Sequence, residues 1–379
     1  MRLSPRLSLV LTLAWTLVLF GGWALLSEMT SEAAPLAYDP DLEFKVLGHI
    51  PVGDDPRGIA VVGDKVYVAN HDDDTISIID ATTLTVTQVI SAGLDPCAIA
   101  YNPNNGYLYV TNRVDSDSGT VTIIDTDIPT YTQVATPVVG TKPTGIAFNP
   151  NDDYMYVAMN YAPGSVLVIS DTSVIDTVTD TFSSFNWPAH IAVKEASNLL
   201  YVTNSGANTV SVISGATRAV TNEIVLNLPK PWGIAVNQNT GWVYVATESG
   251  GKLGRIQPND TVTDAIEPDP PSALRMVAVD PAQNLVFVTQ DDLNTLGDDP
   301  GGTHHSPPTE EMEKVFVYDP ETGDWVDELE ITVQQDPERG IAFDPVRHRL
   351  YVSNRRSNTV TVIQESIKFY FPIIMKASS

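Results

Sequence analysis

"PRGIAVVGDKVYVANHDDDTISIID" runs from Pro56 to Asp80, and "PTGIAFNPNDDYMYVAMNYAPGSVLVIS", from Pro143 to Ser170, follows the same plan. Each stretch has a short apolar run after proline, a turn, a Tyr-Val run, a polar loop and a run rich in Val and Ile. Aligning the chain on the alanine of this pattern gives Ala60, Ala100, Ala147, Ala192, Ala235, Ala278 and Ala342, at spacings of 40, 47, 45, 43, 43 and 64 residues. A fixed period of that length marks a repeat architecture, in which no single unit can bury its own faces. The runs are β-branched and aromatic with no helical period, and Asn102-Pro103, Asn149-Pro150, Asp280-Pro281 and Asp344-Pro345 set a turn after the first run. Each copy therefore reads as four antiparallel strands, and no helix is expected after residue 26.

Four-stranded units of this length bury both faces by stacking radially, so the chain is expected to be all-β, a seven-bladed β-propeller. The small residues of the Gly-Ile-Ala run suit innermost strands that converge on an axis. The final copy, Gly340 to Gln364, supplies three clear strands, and "FKVLGHIPVGDDP", from Phe44 to Pro56, matches the run that precedes every other copy. An N-terminal strand is thus expected to complete the last blade, closing the ring and removing its edges.

The copies "VYVAN", "LYVTN", "LYVTN" and "LYVSN", each followed by a Thr-Val or Thr-Ile strand, resemble the YVTN-repeat, surface-layer-like family of exported β-propellers. The resemblance spans roughly Phe44 to Gln364, and it implies fold rather than chemistry because the shared residues are packing and turn residues. Copies five and six depart from it, with "VYVAT" at Val243 to Thr247 and "VFVTQ" at Val286 to Gln290. The Gly-His and Trp-Asp pairs of the WD40 type do not occur at matching positions.

Outside the repeats, Arg2 and Arg6 precede an apolar run from Leu7 to Leu26 and the small-residue stretch "SEAAPLA". Residues 1–37 are expected to be a signal peptide cut after Ala33, Ala34 or Ala37, with an uncleaved N-terminal anchor as the alternative. Residues 38–366 would then be the propeller, secreted or held at the cell envelope, touching a membrane only through an uncut leader. The tail 367–379, "IKFYFPIIMKASS" from Ile367, is apolar but too short to span a bilayer. Cys97 is the only cysteine, which excludes an intrachain disulfide and reads as a small buried filler. The net charge is −26, and Asp260 to Glu338 holds 20 acidic residues against Arg275 and Lys314. Such a surface repels nucleic acid, which is not an expected partner.

In a propeller, the turn before each inner strand and the loop after each Tyr-Val strand open on one face, around the channel. The position two before Ile or Val of the Ile-Ala pair reads Arg57, Cys97, Thr144, Ala189, Trp232, Arg275 and Arg339, and the loops add His71, Arg113, Tyr161 and Arg355. The arginines fall on blades 6, 7, 1 and 2, opposite an arc with Tyr161, His190 and Trp232. Guanidinium groups offer bidentate donors, so the funnel is a candidate site for a small anionic ligand with an apolar part. The competing reading pairs these arginines with "HDDD" at 71–74, "DSDS" at 115–118 and the two aspartates at 291–292. The long segment of copy six, Gln290 to Lys314, carries His304 and His305 among carboxylates, without a recognisable metal-ligand spacing. No cofactor is expected, and no G-x-S-x-G, H-E-x-x-H, P-loop or C-x-x-C motif occurs. The expected function is a binding or protein-interaction scaffold whose partner is a small anion or an envelope protein. The alternative is a propeller enzyme of lactonase, lyase or dehydrogenase-subunit type, with its site in the funnel.

Overall fold

The computed structural model describes residues 42–126, 131–178, 185–263, 265–268, 272–291, 314–326, 331–333 and 340–367. The leader-like segment 1–37, the bulk of the copy-six insertion with His304 and His305, Arg339 and the tail beyond Ile367 lie outside the described residues. The described strands form seven antiparallel sheets. Blade 1 runs outward through Pro56–Val62, Lys65–Asn70, Thr75–Asp80 and Thr85–Ser91. Blades 2 to 6 begin with inner strands Pro96–Asn102, Pro143–Asn149, Pro188–Lys194, Pro231–Val236 and Ala273–Asp280. Blade 7 contains Gly340–Asp344, Arg349–Asn354 and Thr359–Ile367, and its outermost strand is Leu42–Pro51 from the other end of the chain. That clasp pairs antiparallel with Thr359–Ile367 from Leu42↔Ile367 to Pro51↔Thr359, as the sequence leads one to expect. Each inner strand neighbours the next, and the seventh touches the first, so the ring is closed. Blade 5 is the thin one, its fourth strand reduced to the bridges Leu253↔Ile266 and Ile256↔Val262. Among the described residues the one helical segment is the short 3-10 turn Glu195–Ser197.

The core is divided among the seams between blades, and the period of two along a strand explains how. In Lys65–Asn70, Val66 and Val68 face blade 7 while Tyr67 and Ala69 face blade 2. The same aromatic position is filled by Tyr109, Tyr156, Tyr201, Tyr244, Phe287 and Tyr351, all fully buried against the following blade. Several hydroxyls find acceptors across the seam: Tyr109 Oη donates to the Asp171 carbonyl at 2.8 Å and Tyr201 Oη to Asp260 Oδ1 at 2.7 Å. Phe287, with no hydroxyl, stacks on Phe343 at 5.8 Å and meets the edge of Phe44 from the clasp at 5.4 Å.

The asparagine that ends four of the Tyr-Val strands binds the next strand of its own blade. Asn70 Nδ2 donates to Thr75 Oγ1 and Ser77 Oγ at 3.0 and 2.9 Å, and Asn112 Nδ2 to Thr120 and Thr122 Oγ1 at 2.8 Å each. Asn204 and Asn354 repeat the arrangement with Thr209 and Ser211, and with Thr359 and Thr361. The repeat's most visible polar residues are therefore consumed in building blades.

Two kinds of seam alternate around the ring. Blades 1, 3 and 5 carry Gly58, Gly145 and Gly233 on the inner strand and Ala69, Ala158 and Ala246 on the next, whereas blades 2, 4 and 6 carry Ala98, His190 and Met276 with Thr111, Thr203 and Thr289. At the first kind of seam backbones nearly touch: a methyl on Gly58 would lie 2.6 Å from the Cys97 carbonyl oxygen and 2.7 Å from the Ala98 Cα. At the second kind a hydroxyl spans the gap, Thr111 Oγ1 donating to the Thr144 carbonyl at 2.8 Å and Thr203 Oγ1 to the Trp232 carbonyl at 2.7 Å. Blade 7 combines both devices against blade 1: Gly340 lies against the Arg57 carbonyl, and Ser353 Oγ donates to that same carbonyl at 2.8 Å. Gly58→Ala is expected to lower the unfolding free energy by about 3 kcal/mol, through overpacking against backbone that cannot rotate away. Gly48→Ala, where a methyl meets nothing within 4 Å, should change it by less than about 0.5 kcal/mol. Denaturant titration of both variants checks this, and equal costs would remove the close approach as the reason for glycine.

Candidate functional site

The mouth of the channel is built by one local arrangement used in blades 1 to 5. The residue before the inner-strand proline takes a left-handed backbone, φ being 49° at Asp55, 53° at Asp95, 51° at Lys142, 56° at Trp187 and 48° at Lys230. Its carbonyl accepts an amide from the end of the second strand: His71 N–H to Asp55 at 3.0 Å, Arg113 to Asp95 at 2.8 Å, Asn160 to Lys142 at 2.9 Å, Ser205 to Trp187 at 3.0 Å and Glu248 to Lys230 at 3.0 Å. This bond ties together the two loops that line the mouth of each blade, so side chains far apart in sequence are held on one rim.

Below the rim, each blade contributes one branched aliphatic residue to the axis. Ile59, Ile99, Ile146, Ile191, Ile234, Val277 and Ile341, one from each blade, line a cavity of about 190 Å³ together with Cys97, Thr144, His190, Trp232 and Met276. Buried Cys97 is part of this wall.

Among the described residues, the candidate arginines fall into two patches of paired charge. In the first, Arg57, 6% exposed, donates from Nε and Nη2 to Asp55 Oδ2 at 3.2 and 2.7 Å, and Arg355 Nε lies 3.0 Å from Asp55 Oδ1. Burial pushes the Asp55 carboxyl up, but Arg57, Arg355 and His71 outweigh it and hold its pKa at about 2. Arg57 Nη1 is buried and has no hydrogen-bond partner among the described residues. His71, half-buried, sits 3.3 Å from the Pro96 carbonyl and 3.8 Å from Asp95. Arg113 lies in the field of Asp95, whose pKa is raised by burial and by Asp74 and drawn back by Arg57 and Arg113.

The second patch joins blades 4, 5 and 6. Arg275, 1% exposed, places its guanidinium 4.1 Å over the Trp232 ring and Nη1 3.2 Å from Glu248 Oε1, while His190 meets Trp232 edge-on at 5.9 Å. Arg275 thus belongs with the aromatic residues rather than with Arg57. Half-buried Tyr161 packs beside the core between blades 2 and 3.

The acidic loops serve the rim. Asp73 accepts the Asp54 amide at 2.8 Å, Asp74 the Asp95 amide at 2.9 Å, and Asp115 pairs with Lys142 at 3.3 Å. Lys142 in turn lies 5.4 Å over the Trp187 ring. Asp55, Asp95, Lys142 and Trp187 were missed by reading one column of the repeat, and the signal that finds them is the column two residues earlier, before the proline; Glu248, also missed, stands in the loop column of His71 and Arg113. Among the described residues, two groups of side chains have the composition of a cation site: Asp55, His71 and Asp72 on the rim, and Asp280, His348 and Glu365 at the other end of the strands. The first already holds Arg57 and Arg355 as its counter-charges.

A family model described as a repeat of unknown function, DUF6923, matches residues 130–275, from the outer edge of blade 2 to the start of blade 6. No curated protein matches the chain. Among solved structures, virginiamycin B lyase from Staphylococcus aureus is 17% identical with a TM-score of 0.66, covering 85% of this chain and 99% of that one. Hydrazine synthase from Kuenenia stuttgartiensis is 17% identical with a TM-score of 0.66, covering 83% and 96%. The Cps50 (Swd1) β-propeller domain from Myceliophteria thermophila is 10% identical with a TM-score of 0.67, covering 85% and 99%. Three proteins with such different names share the seven-bladed frame and little sequence, so the likeness is one of fold.

Proposed function

We propose that this chain is an exported, envelope-associated binding module of the YVTN-repeat kind, and that its rim takes a small ligand with an anionic group and an apolar body. The leader-like residues 1–37 and the repeats support the first part. The observation that carries the second is the Arg57 guanidinium, fixed by Asp55, with Nη1 buried and without a partner among the described residues, on the residue that precedes Gly58 and Ile59 of the cavity wall. A buried donor left without an acceptor costs free energy that an anionic ligand relieves. The volume of about 190 Å³ suits a body the size of one ring.

The test uses benzoate and its neutral counterpart benzyl alcohol, titrated by calorimetry and by Trp fluorescence, since Trp232 lines the cavity. Benzoate should bind about tenfold more tightly, the value of one charge-assisted hydrogen bond. Arg57→Gln, whose amide can still donate to Asp55, should abolish that preference. Equal binding of the two probes, or an unchanged preference in the variant, would remove the anion reading.

A further inference from the structure

On the face opposite the rim, inner strands end in turns that touch the next blade, and at three seams one pair of side chains makes the contact. Asn102 Nδ2 donates to Asp153 Oδ1 at 3.1 Å, Asn149 Nδ2 to Asn198 Oδ1 at 2.8 Å and Asn237 Nδ2 to Asn284 Oδ1 at 2.8 Å. In each case the acceptor sits at the left-handed residue of the neighbouring turn, φ being 62° at Asp153, 52° at Asn198 and 56° at Asn284. Between blades 6 and 7 an acidic residue and a histidine take these two positions. The donor position is Asp280, which cannot donate when ionised, and the left-handed position is His348, φ 51°.

Two buried oxygens here have no partner among the described residues. Asp280 is 1% exposed: Oδ1 accepts the Ala282 and Gln283 amides at 2.8 and 3.3 Å, and Oδ2 is the first of the two. Glu365, 8% exposed at the end of the strand that pairs with the clasp, has Oε2 3.0 Å from His348 Nδ1, and its Oε1 is the second. Asp280, His348 and Glu365 each present a ligand atom within 4.8 Å of the other two. Ligand atoms around a small divalent ion at about 2.0–2.2 Å lie about 3–4 Å apart, so a movement of ~1 Å completes the shell. The His348 side chain is 47% exposed and opens the group to solvent.

We propose that Asp280, His348 and Glu365 bind a divalent transition-metal ion of the Zn2+ type at the seam between blades 6 and 7. One imidazole with two carboxylates favours such an ion over Ca2+ or Mg2+, which prefer oxygen alone. The ion ties the turn of blade 6 to blade 7 beside the strand that the clasp must hold, and so reinforces ring closure.

The experiment compares the full chain with Asp280→Asn/His348→Asn, which recreates the Asn237–Asn284 contact found between blades 5 and 6. Zn2+ titrated by calorimetry after chelation should bind the parent at one site, and the double variant about 100-fold more weakly or not at all. With Zn2+ about 100-fold above its dissociation constant, the melting temperature of the parent should rise by about 4 °C and that of the variant should not move. Both proteins should melt cooperatively in EDTA, the check that the variant is folded. Equal Zn2+ affinity in the two proteins, or a parent whose melting ignores Zn2+, would overturn the assignment; the second result would leave a shared proton as what joins the two carboxylates.

Discussion

A chain lacking Leu42–Pro51 is expected to lose more than about 5 kcal/mol of stability and to self-associate. The clasp places Leu42 and Ile50, 2% and 7% exposed, in the seams on either side of blade 7. Removing two such side chains costs about 2–5 kcal/mol each, before the ladder to Thr359–Ile367 is counted. The deletion also bares the strand Thr359–Ile367, whose unpaired amides and carbonyls invite a second chain. Denaturant unfolding and size-exclusion chromatography measure the two effects, and a peptide of residues 42–54 added in trans should reverse both by strand addition. A deletion variant that stays monomeric and melts with the parent would show that the ring does not depend on its clasp.

The second large effect concerns the rim. Asp55→Asn leaves the guanidinium of Arg57, 6% exposed, without its counter-charge, and is expected to cost about 3–5 kcal/mol. Acid reaches part of the same state without mutation. The Asp55 carboxyl titrates at about 2 in the folded protein against 3.8 for the ordinary side chain, so its contribution is complete above about pH 4 and is lost as pH falls toward 2. That lowered value corresponds to about 2 kcal/mol. Urea unfolding of parent and variant at pH 7 and at pH 2.5 should show the difference between them shrinking at the lower pH. A difference that is the same at both would mean the ion pair is not its source.

The ring and its closure were readable from sequence because they rest on residues that recur: the alanine column, the buried Tyr-Val strands and the Asn/Asp-Pro turns. Those turns have a visible mechanism, with Asn102, Asp280 and Asp344 each accepting the amide two residues on, at 2.8, 2.8 and 2.9 Å. The rim was readable only in part. The pre-proline position has a constant backbone but changes chemistry from Asp to Lys to Trp, so pattern alone does not mark it. The pairing of Arg275 with Trp232 and Glu248 depends on which loops two blades bring together, and no spacing along one copy carries that information. Asp280, His348 and Glu365 escape for a related reason: each is ordinary within its own repeat, and the anomaly exists only across a seam.

The alternation of seams carries an arithmetic that seven units cannot satisfy. Two tile types placed in turn close without conflict only around an even number, so an odd circle must set like beside like once. That frustrated junction is where Gly340 of blade 7 lies against the Arg57 carbonyl of blade 1, and Ser353 stands where the even blades have threonine. It borders blade 7, the blade inside which the two ends of the ring meet, between Thr359–Ile367 and Leu42–Pro51. A circular permutant opened between blades 3 and 4 would carry this mismatch inside a continuous polypeptide, and the phase error would then have to be tolerated while the chain folds, rather than at the step that completes the circle.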